Sequence, residues 1–181
     1  MEPKFKELTD YIISLGAAEI SHSDKSYLAH AIGVHNDMKA WDGTPELCRA
    51  ALFHSIYGTQ GFQDFTLPLA RQPELRALIG DYAEKLAYLN CFMDRDSLDN
   101  QLTQTDGPYT IIHRLTGEAL ILSQAEYEDL IRLHLCDWLE QAPRAQRWDY
   151  RRTAYRQMAE RLGGVALTAY DRVFALEPVT A

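Results

Sequence analysis

The sequence has few of the features that define several large classes of protein. It contains only 3 cysteines and no Cys-x-x-Cys pair, which excludes a disulfide framework and predicts three buried thiols in a reducing compartment. No stretch approaches the roughly 20 apolar residues of a transmembrane helix. The charged beginning MEPKFKELTD lacks the apolar core of a signal peptide. We therefore expect a cytoplasmic protein with no membrane association.

Basic charge is also scarce. The 18 Lys and Arg residues are outnumbered by 26 Asp and Glu residues, for a formal net charge of -8. Non-specific nucleic-acid binding requires a basic face that neutralises phosphates, so we expect no nucleic-acid partner. Net charge describes the surface and not a cleft, so a small anionic substrate in a local pocket is compatible with it. The glycine-rich nucleotide-binding loops and the Gly-x-Ser-x-Gly elbow are absent too.

The remaining composition is that of an ordinary globular protein, with 46% hydrophobic and 24% charged residues. A chain of 181 residues is long enough for one full hydrophobic core, so we expect a single domain over residues 1–181. Apolar residues recur at helical spacing through most of the chain. We therefore expect an all-α helical bundle, in which the β-prone stretch 109–122 allows one small hairpin.

Capping and breaking residues mark the ends of the expected helices. A capping residue or a proline opens a helix, and glycine commonly closes one. On this basis we predict helices over residues 4–15, about 25–41, 45–54, 73–89, 124–141, 148–162 and 165–176. Residues 94–108 are predicted to form a long polar connection that could be mobile or act as a lid.

Three of the 6 histidines fall on or beside the second and third predicted helices. His30 lies three residues after Tyr27 and four before Val34, so it shares the buried stripe of its helix. His54 also lies on the side of its helix that faces the core. Asp137 stands on the apolar side of a later helix, where a carboxylate is costly unless it is paired or binds a cation. Imidazoles and a carboxylate suit a divalent transition metal, but hydrogen-bonded core histidines remain an alternative.

Two segments carry a family resemblance. The run YLAHAIGV and the later run LCRAALFHSIYGT resemble the first two signature segments of the HD superfamily of metal-dependent proteins. The resemblance implies an HD-like helical bundle in which His30 and His54 are metal ligands and Asp137, in LHLCDWLEQ, is the terminal aspartate. The wording HSIYGTQGF is also similar to a group of uncharacterised HD-like bacterial proteins that have His-Ser in place of the His-Asp pair.

The chain departs from the HD pattern at Ser55, which stands where the superfamily has the aspartate of the pair. A serine hydroxyl is a poor metal ligand at neutral pH, which argues against a binuclear centre. One hypothesis is a mononuclear centre of His30, His54 and Asp137, with His22 as an additional ligand. The other is a site that has lost its metal and kept its pocket. His22 is equally compatible with an exposed loop histidine.

Two further residues are candidates for catalysis. Tyr57 follows His54 in the next loop and could position or protonate a substrate. Glu84 falls off the main apolar stripe of its helix, a placement that suits a general base. A packed aromatic ring and an ordinary surface or salt-bridged glutamate are the alternatives.

Taken with the resemblance, these residues predict a metal-dependent enzyme that acts on a small molecule. Its expected cofactor is a divalent iron, manganese or zinc ion. Phosphoester hydrolysis is the first hypothesis and iron-dependent oxygenation of the HD-like kind is the second. A non-catalytic HD-like protein that binds a ligand or a partner is the third. The aromatic residues of the last two helices also allow a homo-oligomer, although tertiary packing explains them equally well.

Overall fold

A computed structural model describes residues 3–22 and 24–179 of the chain. The protein is mainly helical, as predicted, and also contains two small antiparallel hairpins. Its internal contacts divide the chain into two compact units, the first ending at Phe92 and the second beginning at Met93. The single domain over residues 1–181 stays a prediction.

The first unit is helical with one short hairpin. Its elements are α1 (Phe5–Ser14), β1 (Ser21–His22), β2 (Lys25–Ser26), α2 (Tyr27–Ala40), α3 (Pro45–Leu52), a 3-10 turn (Leu69–Arg71), α4 (Gln72–Ile79) and α5 (Asp81–Phe92). The β1–β2 hairpin pairs Ser21 with Ser26 and His22 with Lys25. Strands of two residues are too short to show an alternating pattern, so the sequence analysis does not predict this hairpin.

Local capping chemistry sets the start of α2 and α3. The Ser26 hydroxyl accepts from the N–H of Ala29 at 3.3 Å, and the Thr44 hydroxyl accepts from the N–H of Leu47 at 3.3 Å. Pro45 occupies the first position of α3, as predicted, where its missing N–H is of no consequence. In the folded unit α3 packs against both α2 and α5.

The long helix predicted from Pro73 is two helices, because Gly80 breaks it. Gly80 has φ +90° and ψ 156°, a conformation that cannot continue a helix and that side-chain-bearing residues rarely adopt. The Arg49 Nε–H donates to the Ile79 carbonyl at 2.7 Å, which satisfies one of the acceptors left at a helix end. Glu84 consequently belongs to α5, a separate helix from the α4 segment that precedes it.

The second unit contains the predicted hairpin and the longest helix. Its elements are α6 (Arg95–Asp99), β3 (Tyr109–Ile112), β4 (Ala119–Leu122), α7 (Gln124–Ala145), α8 (Arg152–Leu162) and α9 (Gly164–Phe174). The two strands pair antiparallel, from Tyr109 opposite Leu122 to Ile112 opposite Ala119. Both α8 and α9 pack against α7.

Two helix starts in the second unit depend on short polar side chains. A capping box opens α7, since Ser123 and Glu126 each accept from the other's backbone N–H. Residues 94–108 are not a continuous connection as predicted, because they include α6. The Asp94 carboxylate caps this helix by accepting from the N–H of Ser97 at 2.8 Å.

The three cysteines, Cys48, Cys91 and Cys136, are buried free thiols, as predicted. Among the described residues, no helix has both the length and the apolar character needed to cross a membrane.

Candidate metal site

His30 and His54 meet where α2 packs on α3. His30 lies in the buried stripe of α2, as predicted. Because α3 ends at Leu52, His54 stands in the turn after the helix and not on the helix itself. The Nε2 atoms of the two rings are 3.2 Å apart, and the ring planes are nearly perpendicular at 82°.

The proton on the His54 ring is placed by the helix that precedes it. The His54 Nδ1 atom lies 2.8 Å from the Ala51 carbonyl oxygen. A carbonyl oxygen can only accept, so Nδ1 carries the ring proton and Nε2 keeps a lone pair in the neutral ring. This lone pair faces His30, where it can accept a hydrogen bond or bind a cation.

The separation of the two Nε2 atoms suits a shared metal ion. Nitrogens that bind one ion at about 2.1 Å, with about 90 to 109° between the bonds, stand about 3.0 to 3.4 Å apart. The observed separation of 3.2 Å falls within this range. The nearly perpendicular rings are also compatible with lone pairs that converge on a single point.

Asp137, the third predicted ligand, lies in the second unit. It is buried on α7, and its Oδ1 accepts from the Gln141 side-chain amide at 3.0 Å. His30, His54 and Asp137, the three metal ligands predicted from the sequence, are called the ligand group below.

His22 is buried and is not an exposed loop histidine. Its ring stacks on that of His30, with centroids 4.2 Å apart and planes only 8° from parallel. The lone pair of an imidazole nitrogen lies in the plane of its ring, so two stacked parallel rings do not direct their lone pairs at one point. His22 is outside the ligand group, and its role as an additional ligand stays a prediction.

Aromatic side chains pack around His22. Phe62, from the loop after α3, lies with its ring centroid 4.3 Å from that of His22, and Tyr27 lies edge-on at 6.4 Å. This loop begins at Gly58, whose φ of +77° favours glycine. A Cβ atom at Gly58 would also come within 2.6 Å of the Thr66 side chain. The course of the loop that delivers Phe62 therefore depends on this glycine.

Ser55, the residue at the expected aspartate position, is 1% exposed. Within the described part of the chain its hydroxyl has no hydrogen-bond partner. A buried hydroxyl in this state is commonly satisfied by a bound water or ligand. Ser55 follows His54 directly in the chain.

The two predicted catalytic residues, Tyr57 and Glu84, contact each other. Glu84 is 1% exposed, and its carboxylate accepts from the Tyr57 hydroxyl at 2.8 Å, the Gln72 amide at 2.9 Å and the Arg76 guanidinium at 3.3 Å. Burial, followed by the hydrogen bond to Glu84, raises the pKa of Tyr57. Tyr57 therefore stays a protonated donor at neutral pH. Neither residue belongs to the ligand group, and their catalytic roles stay predictions.

Two residues of α5 that the sequence analysis does not single out hold His54 in place. The Asn90 side-chain amide donates to the His54 carbonyl at 2.8 Å, and the Cys91 thiol donates to the same oxygen at 3.3 Å. The sequence could have indicated Asn90, because it is a polar residue within the apolar run YLNCFM and a buried amide needs hydrogen-bond partners.

Two further histidines, His113 and His134, make contacts within the second unit. In the turn between β3 and β4, the His113 Nδ1 accepts from the backbone N–H groups of Leu115 and Thr116. His134 contacts the Arg151 guanidinium through its Nε2 at 2.6 Å.

Part of the chain matches a known family. Residues 11–95 match a family described as a domain of unknown function (DUF6817). This stretch includes His30, His54, Tyr57 and Glu84 but ends before Asp137. No curated protein and no solved structure matches the chain.

Proposed function

We propose that this protein is a metal-dependent enzyme acting on a small molecule, with a mononuclear centre held by the ligand group. The observation that carries the proposal is the pair of buried histidines whose Nε2 atoms are 3.2 Å apart. The bond from His54 Nδ1 to Ala51 supports it, because it leaves the His54 Nε2 lone pair facing His30. Two imidazoles and a carboxylate suit iron, manganese or zinc.

An HD-like fold is part of this proposal. The three ligands come from α2, from the turn after α3 and from α7, in the chain order that the resemblance to the HD superfamily implies. Ser55 has no carboxylate to bridge a second ion, which is the reason for proposing one metal and not two. Its buried hydroxyl is a suitable partner for a water molecule beside His54.

Phosphoester hydrolysis is the reaction that we propose first. A divalent metal held there would lower the pKa of a bound water and polarise the ester. Glu84 is the proposed general base, and Tyr57, kept protonated by its raised pKa, would orient or protonate the substrate. Two of the three hydrogen bonds that Glu84 accepts are on Oε1, so Oε2, which among the described residues accepts only from Arg76, keeps a lone-pair site that could take a proton from water.

Iron-dependent oxygenation is the second candidate, and the surroundings of His22 favour it. The rings packed on His22 are those of His30, Phe62 and Tyr27. An aromatic wall suits an apolar substrate better than a phosphate, whose charge requires cationic or amide donors.

Elemental analysis of protein purified without a histidine tag tests the metal centre. We expect near-stoichiometric metal in the unaltered chain and none in His30→Ala or His54→Ala. His35→Ala is the matched control, since His35 lies on the same helix outside the ligand group and should leave the metal content unchanged.

Two assays then separate the reactions. Turnover of p-nitrophenyl phosphate by the manganese- or zinc-loaded protein supports hydrolysis, whereas substrate-dependent oxygen uptake by the iron-loaded protein supports oxygenation. If no sample holds metal, even after anaerobic reconstitution with Fe²⁺, Mn²⁺ or Zn²⁺, the metalloenzyme proposal is wrong. An HD-like protein that binds a ligand or a partner would then be the better hypothesis.

A further inference from the structure

Hydrogen bonds hold the backbone carbonyl of His54 as well as its ring. A residue just past the end of a helix has a carbonyl outside the helical hydrogen-bond ladder, and such a group must find another partner when buried. The His54 carbonyl accepts from Asn90 at 2.8 Å and from Cys91 at 3.3 Å, so both of its lone pairs face donors from α5. The ring is bonded separately to Ala51 at 2.8 Å.

Packing alone does not require an amide at position 90. Asn90 is 3% exposed, and its neighbours on α5 include the buried apolar residues Leu86, Ala87 and Leu89. A leucine side chain has the same branched skeleton of four heavy atoms as asparagine and would occupy the site without burying a polar group. The amide at this position is explained by the hydrogen bond that it donates to the His54 carbonyl.

We propose that Asn90 is a positioning residue for the metal centre, with Cys91 as the weaker second donor. This inference rests on the proposed function, because it assigns Asn90 the task of directing the His54 Nε2 atom. Rotation of the His54 peptide would move the whole ring relative to His30, whose Nε2 lies only 3.2 Å away. Partners that orient a metal ligand typically change metal affinity by about 10- to 100-fold.

The test measures Co²⁺ affinity and the visible Co²⁺ spectrum, which reports the geometry of the ligands. We expect Asn90→Leu to weaken Co²⁺ binding about tenfold and to shift the spectrum. Leu89→Ala is the control, because it removes a buried side chain from the same helix without touching the His54 carbonyl. It should lower the melting temperature at least as much as Asn90→Leu while leaving affinity and spectrum unchanged.

Each outcome bears on the inference. Unchanged Co²⁺ affinity and spectrum in Asn90→Leu would overturn it, and so would an equal weakening in Leu89→Ala. If Asn90→Leu does not fold, the Cys91 pair replaces it: Cys91→Ala should weaken Co²⁺ binding and Cys91→Ser, which keeps a donor, should restore it. Failure of the unaltered chain to bind Co²⁺ or Zn²⁺ would instead contradict the proposed function itself.

Discussion

His54 in the first unit and His134 in the second are both 1% exposed, yet their ring nitrogens have different partners. The His134 Nε2 lies 2.6 Å from the Arg151 guanidinium, which has donors and no acceptor. Arg151 also donates to the Asp99 carboxylate at 2.9 Å and to the Tyr155 hydroxyl at 3.2 Å. This contact therefore requires the His134 Nε2 to act as an acceptor, within a charge-balanced cluster.

His54 presents its Nε2 to a different kind of neighbour. His30 can donate through Nε2 or present a lone pair there, depending on its tautomer, so the pair can exist with or without a cation between its nitrogens. Burial therefore does not distinguish a structural histidine from a ligand. The chemical identity of the group facing the ring nitrogen makes that distinction.

The largest expected effect is on Zn²⁺ binding, which should depend on His54 and not on His134. His54→Ala should abolish binding of Zn²⁺, and His134→Ala should retain the affinity of the unaltered chain. Isothermal titration with Zn²⁺ measures both, and circular dichroism checks that each variant is folded. Loss of Zn²⁺ binding in a folded His134→Ala variant would contradict this prediction.

Loss of the ion pair between Arg151 and Asp99 should lower stability and leave metal binding unchanged. The side chains of Arg151 and Asp99 are only 11% and 21% exposed, so Asp99→Ala leaves a buried guanidinium without its counter-charge. We expect the free energy of unfolding to fall by about 3 kcal/mol or more, with metal affinity unchanged. Asp149→Ala provides the control, because this carboxylate is 96% exposed in its ion pair with Arg152 and should cost less than about 1 kcal/mol. Urea unfolding measures both; similar losses would contradict the prediction.

Alkaline pH should destabilise both units through buried tyrosines. Burial raises the pKa of Tyr57 in the first unit and of Tyr127 in the second. Unfolded tyrosine ionises from about pH 10 while the folded state keeps its protons, so the free energy of unfolding falls as pH rises above that value. Tyr57→Phe and Tyr127→Phe should each make this decline shallower, by at most about 1.4 kcal/mol per pH unit. Urea unfolding between about pH 9 and pH 11 checks this, and slopes equal to that of the unaltered chain would refute it.

The smallest expected effect concerns His22. Since its ring stacks on His30 with planes 8° from parallel, phenylalanine should replace it in packing. We expect His22→Phe to bind Zn²⁺ with the affinity of the unaltered chain to within about threefold, which is less than the effect of losing a residue that orients a metal ligand. A loss as large as that in His30→Ala would show that His22 is a ligand, as the sequence analysis proposes.

Features that depend on neighbours in the chain are predictable from the sequence. Thr44 and Ser123 cap their helices because a hydroxyl reaches an N–H three residues ahead, whatever lies elsewhere in the fold. The burial of His30 follows from its place in the stripe of α2. The β3–β4 hairpin is likewise local.

Other features of the structure cannot be predicted from the sequence pattern. The apolar stripe from Leu75 to Leu89 keeps a helical period on both sides of Gly80, so the pattern does not reveal the break. The buried Glu84 carboxylate accepts hydrogen bonds from Tyr57 and Gln72, which lie 27 and 12 residues away. Sequence spacing does not show that such groups are near, because a polar residue off the stripe is equally typical of a surface.

The mainly helical character, most of the helix starts and the types of residue available for a metal site follow from the amino-acid sequence alone. Helical period and capping act over three or four residues, so the order of residues is enough to define them. The 3.2 Å separation of the His30 and His54 Nε2 atoms and the hydrogen bond from Asn90 to the His54 carbonyl arise from tertiary packing. Those contacts join positions 24 and 36 residues apart, and they form only when α2, α3 and α5 pack together.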